Sequence, residues 1–277
     1  MSGIVADFRR DASRRRKRAG ALDELVDGVA AEEFGRVHGE PQLPPVAIVI
    51  AAYKEADNIG SVVGGLPKQI CDLDAVAIVV VDGDDDGTAA IVRAAGHYAC
   101  VAPVNRGQGA ALRLGYRLAR EHGARYVVTA DADGQTDPGD LEVVLSPVVA
   151  GEADFVNGSR RLGSTASDDV VRNLGVLVYA RLITLLSGTQ VTDTANPVRA
   201  MRAELTGRLQ LDEPQYQASE LLIGAIMSGA RYEERPVRMR VRTSGHSKKG
   251  GNFLYGYRYG RVVLRTWLRE TRRRRRS

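Results

Sequence analysis

Cysteine is nearly absent from this chain of 277 residues, and no apolar run in it approaches the length of a membrane span. Cys71 and Cys100 are too few for a disulfide framework or a cysteine-rich zinc site. The longest apolar run, Val46–Ala52, reads as a strand, since a spanning helix needs about 20 residues. The basic amino terminus has no apolar segment behind it, so a secretory signal is not expected. No aromatic residues interleave the basic runs, which argues against a surface that stacks nucleic-acid bases. These absences favour a reducing cytoplasm, with peripheral contact at the inner membrane surface as the further option.

What is present suits one large α/β domain or one domain with tails: 44% of residues are hydrophobic, enough for a substantial core. The net charge of +5 is unevenly placed. Arg9, Arg10, Arg14, Arg15, Arg16, Lys17 and Arg18 crowd one end, and residues 272–276 are all arginine. Such runs repel themselves and are expected to be disordered. They would attract an anionic bilayer at about 1 kcal/mol per basic residue, or else remain solvated tails without a partner.

Residues 1–40 read as a basic accessory segment, with an amphipathic helix over 21–34 carried by Leu22, Leu25, Val26, Val29 and Ala30. Gly39, Pro41, Pro44 and Pro45 then punctuate a linker. From Val46, strands at 46–52, 75–81, 98–102 and 125–130 alternate with helical patterns at 57–66, 88–95 and 109–121, which predicts a doubly wound, mainly parallel sheet flanked by helices. Helices are expected at 138–149, 170–187 and 219–228, and strands at 154–157 and 231–242. Residues 251–277 read as an amphipathic helix and an arginine tail, suited to a membrane interface or to packing on the protein itself.

The most informative stretch is Tyr126-Val127-Val128-Thr129-Ala130-Asp131-Ala132-Asp133-Gly134. A β-branched apolar run, easily buried in a parallel sheet, ends in two carboxylates one residue apart. Open α/β sheets place ligands at the carboxyl ends of their strands, and two acids there call for a cation. A hard divalent metal holding a diphosphate meets that demand. The plainer reading is capping of the next turn or helix. A calcium loop is excluded because Thr136 stands where such a loop needs glycine. A dinucleotide fingerprint at Gly107-x-Gly109 fails because Leu112 replaces its third glycine.

Further segments extend the pattern. Val49-Ile50-Ala51-Ala52-Tyr53-Lys54-Glu55-Ala56-Asp57-Asn58-Ile59 opens it, followed by Asp82-Gly83-Asp84-Asp85-Asp86-Gly87-Thr88 and Asn105-Arg106-Gly107-Gln108-Gly109. Beyond Asp131-Ala132-Asp133-Gly134-Gln135 come Asn157-Gly158-Ser159-Arg160, Thr192-Asp193-Thr194 with Arg199, Glu220, Glu234-Arg235-Pro236-Val237, and Arg242-x-x-Gly245-x-Ser247-Lys248. This ordered set resembles the family 2 glycosyltransferases of the GT-A fold, and among them the polyprenol-phosphate (dolichol-phosphate-like) sugar transferases. The resemblance covers about residues 46–250, so 41–250 reads as the glycosyltransferase domain. It departs at Lys54, Gln108 and Pro197, where Asn, Lys and Gly are more usual.

The resemblance implies donor contacts from Ala51, Tyr53, Glu55 and Asp82, the last through base or ribose donors. It implies further ones from Arg106, Gln108 and Gly109, whose turn has amides that can face phosphate, and from Asp131 and Ala132. Asp131 approaches the ribose or the metal, and Asp133 ligates Mg2+ or Mn2+ bridging the donor phosphates. Asp84, Asp85 and Asp86 read as a solvated turn, with Asp86 capping a helix. Arg242 and Lys248 would place positive charge near a phosphate, on a loop containing Gly245, Gly250 and Gly251. Asp193 and Glu220 are alternative carboxylate bases for a hydroxyl acceptor; an anionic lipid phosphate needs none.

The expected reaction is metal-dependent, inverting sugar transfer from a nucleoside diphosphate sugar, UDP favoured, to a polyprenol phosphate. A soluble acceptor, such as a nucleoside-type natural product or small metabolite, is the alternative. A non-catalytic membrane or nucleic-acid adaptor is the reading from another class. The sequence leaves a homo-oligomer open.

Overall fold

The computed structural model describes residues 2–83, 85–165, 170–240 and 252–275. The amino-terminal half runs α1 (Ser2–His38), β1 (Val46–Ala52), α2 (Ala56–Gly64), β2 (Gln69–Ile70), β3 (Leu73–Asp82), α3 (Thr88–Ala94), β4 (Tyr98–Ala102) and α4 (Gln108–Glu121). Then follow β5 (Tyr126–Asp131), α5 (Pro138–Val149), β6 (Phe155–Thr165), α6 (Val170–Ser187), β7 (Arg199–Arg202), α7 (Ala203–Arg208), α8 (Gln217–Met227), β8 (Tyr232–Met239) and α9 (Asn252–Arg274).

Among the described residues one 8-stranded sheet carries the fold, in the order β3-β1-β5-β7-β6-β8, with β4 and the short β2 both paired to β3. β1 is parallel to β3 and β5, and β4 is parallel to β3. β7 runs antiparallel to both β5 and β6, and β8 returns parallel to β6. The mixed, mainly parallel sheet matches the expectation from strand-helix alternation.

Alternate residues of the central strands enter two cores. Ala47 and Val49 face Phe34, Leu114 and Leu118 on one side. Val46, Ile48 and Ile50 face Ile59, Val63, Val92 and Leu141 on the other. Burial on both faces is why these strands read as continuous apolar runs. Helix α4 lies so close to β1 that a side chain at Gly115 would run into Val49.

Two terminal helices depart from the sequence reading. The arginine-rich stretches are helical rather than disordered: residues 9–18 lie within α1, and Arg272, Arg273 and Arg274 form the last turn of α9. Arginine is a good helix former, and both helices have an apolar face to anchor them. The second half of α1 reaches the core through Phe34, whose ring lies 4.8 Å from His38, 6.0 Å from Tyr98 and 5.2 Å from His122. Of the two outcomes open to the carboxyl-terminal helix, packing on the protein is observed. Tyr259, Val262 and Val263 are buried, and the Trp267 indole N–H donates to the Leu186 carbonyl at 2.7 Å. At the sheet edge β6 is longer than expected, and β8 ends at Met239.

Candidate active site

The register of β1 fixes the site's floor. Ala51 pairs with Val80 of β3 on one side and Asp131 of β5 on the other. The loops after these three strands therefore emerge at one edge, with Tyr53 and Glu55 from the first, Asp82 from the second and Asp131 to Asp133 from the third. Lys54 adopts positive φ (54°), and its ammonium sits 5.5 Å from the Tyr53 ring centroid. Such a conformation is uncommon outside glycine and marks a constrained turn. Glu55 starts α2, its carboxylate accepting the Asn58 amide at 2.8 Å. Asp85 and Asp86 cap α3, and Asp86 also accepts the Ala56 N–H, tying the two helix starts together.

Asp82 is buried, and its two carboxylate oxygens accept the N–H groups of Arg106 (3.0 Å) and Gly107 (2.6 Å). Burial pushes its carboxyl up from the ordinary range, against those two amide bonds. The turn at 106–109 is thus organised differently from the expectation that its amides face phosphate. Two of them bind Asp82, and Gly109 donates to the Pro214 carbonyl at 2.7 Å. The glycines serve that approach: a Cβ at Gly107 would lie 2.6 Å from the Pro214 oxygen, and one at Gly109 would lie 2.8 Å from Gln217 Cβ. Arg106 is likewise not placed to meet a donor. Its guanidinium holds Asp27 (2.5 Å) and Asp23 (3.3 Å) of α1, and its side chain is largely buried.

Asp131 closes β5, and the Gln108 side-chain amide donates to it at 3.2 Å. Two residues later the buried Asp133 accepts the Gln135 N–H at 3.1 Å, a local turn helped by Gly134 at φ 76°. Ala132 between them is buried. Asp137 caps α5 by accepting the Gly139 N–H, with Pro138 in the first helical turn. The loop is pinned from the far edge of the sheet: Gln135 and Arg240 exchange two hydrogen bonds, Thr136 bridges to Met239, and Arg240 pairs with Asp137 at 2.9 Å. Arg242 and Lys248, with the glycines around them, lie outside the described residues.

The two aspartates offer the hard oxygen donors that Mg2+ and Mn2+ take. Among the described residues no group of three or more His, Cys, Asp or Glu side chains gathers for a metal. A cation held here would complete its shell with substrate phosphates and water, the usual manner for Mg2+. The residues fit that group.

Behind the loop lies a polar cluster whose members stand far apart along the chain, so no local sequence pattern announces it. Arg160 grips both oxygens of Asp193 at 2.7 and 2.8 Å, and its backbone N–H adds a bond at 3.2 Å. Burial alone would raise the Asp193 carboxyl, but the Arg160 guanidinium holds it below the ordinary range. Asp131 adds to the field that keeps Arg160 charged, which links the cluster to the paired acids. Glu234 accepts the Thr192 N–H (2.9 Å), the Thr192 hydroxyl (2.7 Å), the Tyr232 hydroxyl (2.9 Å) and the Asn157 amide (3.2 Å). Arg199, also buried, donates to the Ala218 and Thr194 carbonyls.

Both carboxylates expected as alternative bases are therefore engaged internally. Asp193 is buried and paired with Arg160. Glu220 is buried, accepts the Glu213 N–H at 2.9 Å and pairs with Arg269 of α9 at 2.8 Å. For Asp193, a carboxylate held ionised by a bidentate arginine is a poor proton acceptor.

With this geometry in hand, the comparisons with known proteins agree in direction. The pattern of "Glycosyl transferase family 2" matches residues 47–209. A dolichyl-phosphate hexose transferase of Haloferax volcanii is 31% identical over 225 residues, covering 81% of this chain and 95% of the relative. A UDP-N-acetylglucosamine–dolichyl-phosphate N-acetylglucosaminyltransferase of Methanococcus voltae is 28% identical, covering 77% and 92%. Among solved structures, glucosyl-3-phosphoglycerate synthase of Mycobacterium tuberculosis, in complex with Mn2+, UDP-glucose and phosphoglyceric acid, superposes with a TM-score of 0.64 at 18% identity, covering 84% and 83%. That likeness identifies the fold as GT-A.

Proposed function

The chain belongs to glycosyl transferase family 2 and is a glycosyltransferase, and from this premise we propose that it moves a sugar from a nucleoside diphosphate sugar to a polyprenol phosphate. The observation that carries the donor half is the pair Asp131 and Asp133 at the carboxyl end of β5, in register with Ala51 at the floor of the site. The relatives named for dolichyl phosphate support the acceptor half, and the one named for a UDP-sugar favours uracil in the donor.

In the reaction an oxygen of the lipid phosphate attacks the anomeric carbon from the face opposite the leaving group. The bond from that carbon to the diphosphate oxygen breaks, and its electron pair leaves with the nucleoside diphosphate. The sugar is inverted, and no proton has to be removed, because the attacking oxygen is already anionic. Asp133 and Asp131 would hold Mg2+ or Mn2+, which would supply electrostatic stabilisation of the diphosphate. Gln108 orients Asp131, the Asp133–Gln135 turn sets the second carboxylate, and Asp193 holds Arg160 as a cation beside them. Tyr53 and Ala51 line the edge where the base of the donor would lie.

A soluble acceptor remains the second reading, resting on the replacements at Lys54, Gln108 and Pro197. Thermal-shift screening of UDP- and GDP-sugars with Mn2+ identifies the donor, since a ligand bound only to the native state raises its apparent stability. The chosen donor is then offered to polyprenol phosphate and to soluble alcohols. Sugar-linked lipid phosphate is the expected product. Product with alcohols alone sinks the lipid acceptor, and no product with either sinks the proposal.

A further inference from the structure

Two helices that pack against each other, α6 and α9, present matching outward stripes. Among the described side chains of α6 the exposed positions are Leu174, Val178, Arg181 and Leu185, spaced i, i+4, i+7 and i+11. On α9 one line of exposed positions is Tyr257, Arg261, Leu264, Leu268 and Arg272, spaced i, i+4, i+7, i+11 and i+15. Either spacing keeps its residues on one face of a helix. The opposite face of α9 is the buried one, with Tyr259, Val262, Val263 and Thr266.

The helices lie side by side and run the same way. The Tyr179 hydroxyl donates to the Gly256 carbonyl at 2.5 Å, and Trp267 donates to the Leu186 carbonyl about two turns further along α6 and about three further along α9. Both stripes therefore run along the packed pair in one direction. Leu185 is 81% exposed, Tyr257 69% and Leu174 59%. Single apolar residues at a surface need no explanation, but six along one pair of helices form a patch of the kind that marks an interaction site.

The charge says what the patch meets. Helix α9 contains seven arginines and one acid, Glu270, which is buried, and α6 contains two arginines and no acid. A surface hollow of about 610 Å³ follows the outer face of α9, where Leu264 and Leu268 lie between Arg261, Arg265 and Arg272. Leucines framed by arginine stems and flanked by an exposed tyrosine have the composition of a helix lying in a membrane interface. A protein partner would need acids matched to each arginine. A bilayer of anionic lipid supplies negative charge everywhere along the stripe and an apolar layer beneath it.

We propose that the paired outer faces of α6 and α9 lie on an anionic bilayer and present the active site to it. The link to the site is short. The Tyr259 hydroxyl of α9 donates to the Thr194 carbonyl at 3.1 Å, and the neighbouring Asp193 holds Arg160 beside the paired acids. The inference rests on the lipid-acceptor reading only for its purpose, and its test is independent of catalysis.

The full chain is floated with phosphatidylcholine vesicles lacking or containing phosphatidylglycerol, in the absence of substrate. Binding to the anionic vesicles is expected to be at least about tenfold tighter, since each arginine near such a surface adds roughly 1 kcal/mol, and to weaken with salt. Leu264→Glu with Leu268→Glu, and separately Val178→Glu with Leu185→Glu, are expected to lower that binding about tenfold or more. Leu25→Glu, at an exposed leucine of α1, is expected to change nothing, and unaltered melting temperatures show that the variants fold. Equal binding to both vesicle types overturns the proposal, as does indifference to the leucine changes. So does a stripe that the variants show to mediate self-association or duplex DNA binding instead of vesicle binding. Vesicle binding without sugar transfer would sink the proposed reaction and leave this surface standing; transfer in detergent without vesicle binding would do the reverse.

Discussion

Replacing Asp193 by alanine separates a carboxylate that removes a proton from one that positions a cation. The Asp193 side chain is 1% exposed and that of Arg160 is 9% exposed, so water screens their contact little. The pair has two charge-assisted side-chain bonds and one from the Arg160 backbone. Removing one partner of such a pair leaves a buried charge uncompensated and costs about 3–5 kcal/mol. Asp193→Ala is therefore expected to lower the unfolding free energy by that amount in urea titrations. Arg160→Met should do comparable damage. The double variant should be less destabilised than the sum, with a coupling toward the upper end of about 0.5–3 kcal/mol.

The pH dependence has a definite sign. Asp193 titrates lower in the folded chain than in the unfolded one, so its stabilisation is present above the ordinary carboxylate range and is lost as pH falls through its folded value. The wild type should lose more stability on acidification than Asp193→Asn. A loss below about 1 kcal/mol for Asp193→Ala, or additive effects of the two changes, would refute the assignment. Unchanged stability of Asp193→Asn with transfer to alcohols abolished would instead restore Asp193 as a base.

Asp133→Ala is expected to lower turnover at least about a hundredfold, the scale of losing a metal's electrostatic contribution, while the fold is retained. Activity surviving both this change and a chelator contradicts the metal role. Phe34→Ala should cost about 3–5 kcal/mol in chemical denaturation, because the ring is fully buried among Tyr98, His38 and His122. A change under about 1 kcal/mol would mean that α1 is only loosely attached.

The parts of this protein that were legible in its sequence are those where one local pattern has one physical cause. Ala47 to Ile50 are apolar in succession because both faces of β1 are covered, and that continuity announced a buried parallel strand. Asp131 and Asp133 stood out because a strand ended in acids with nothing local to neutralise them. Asp86 could be read as a cap because its bonds to Thr88 span two residues. What escaped were contacts whose partners lie far apart along the chain. Gly107 and Gly109 looked like a phosphate turn, yet the atoms that require glycine there belong to residues 213, 214 and 217. Arg106 looked like an anion ligand, but Asp23 and Asp27, some 80 residues earlier, claim it.

The arginine runs show the same limit in energetic form. Self-repulsion along a run is a local cost, and judged locally it predicts disorder. In α9 the cost is offset by the buried face of the same helix, through Tyr259, Val262, Val263 and Trp267, and by the Arg269 pairs with Glu220 and Asp212. Once that face is anchored, helical periodicity leaves Arg261 and Arg272 pointing outward in line with Leu264 and Leu268. The fold thereby turns a string of like charges into an oriented surface. The Arg269 pair with Glu220 and the Gly109 bond to Pro214 then connect that surface to the turn that holds Gln108 against Asp131.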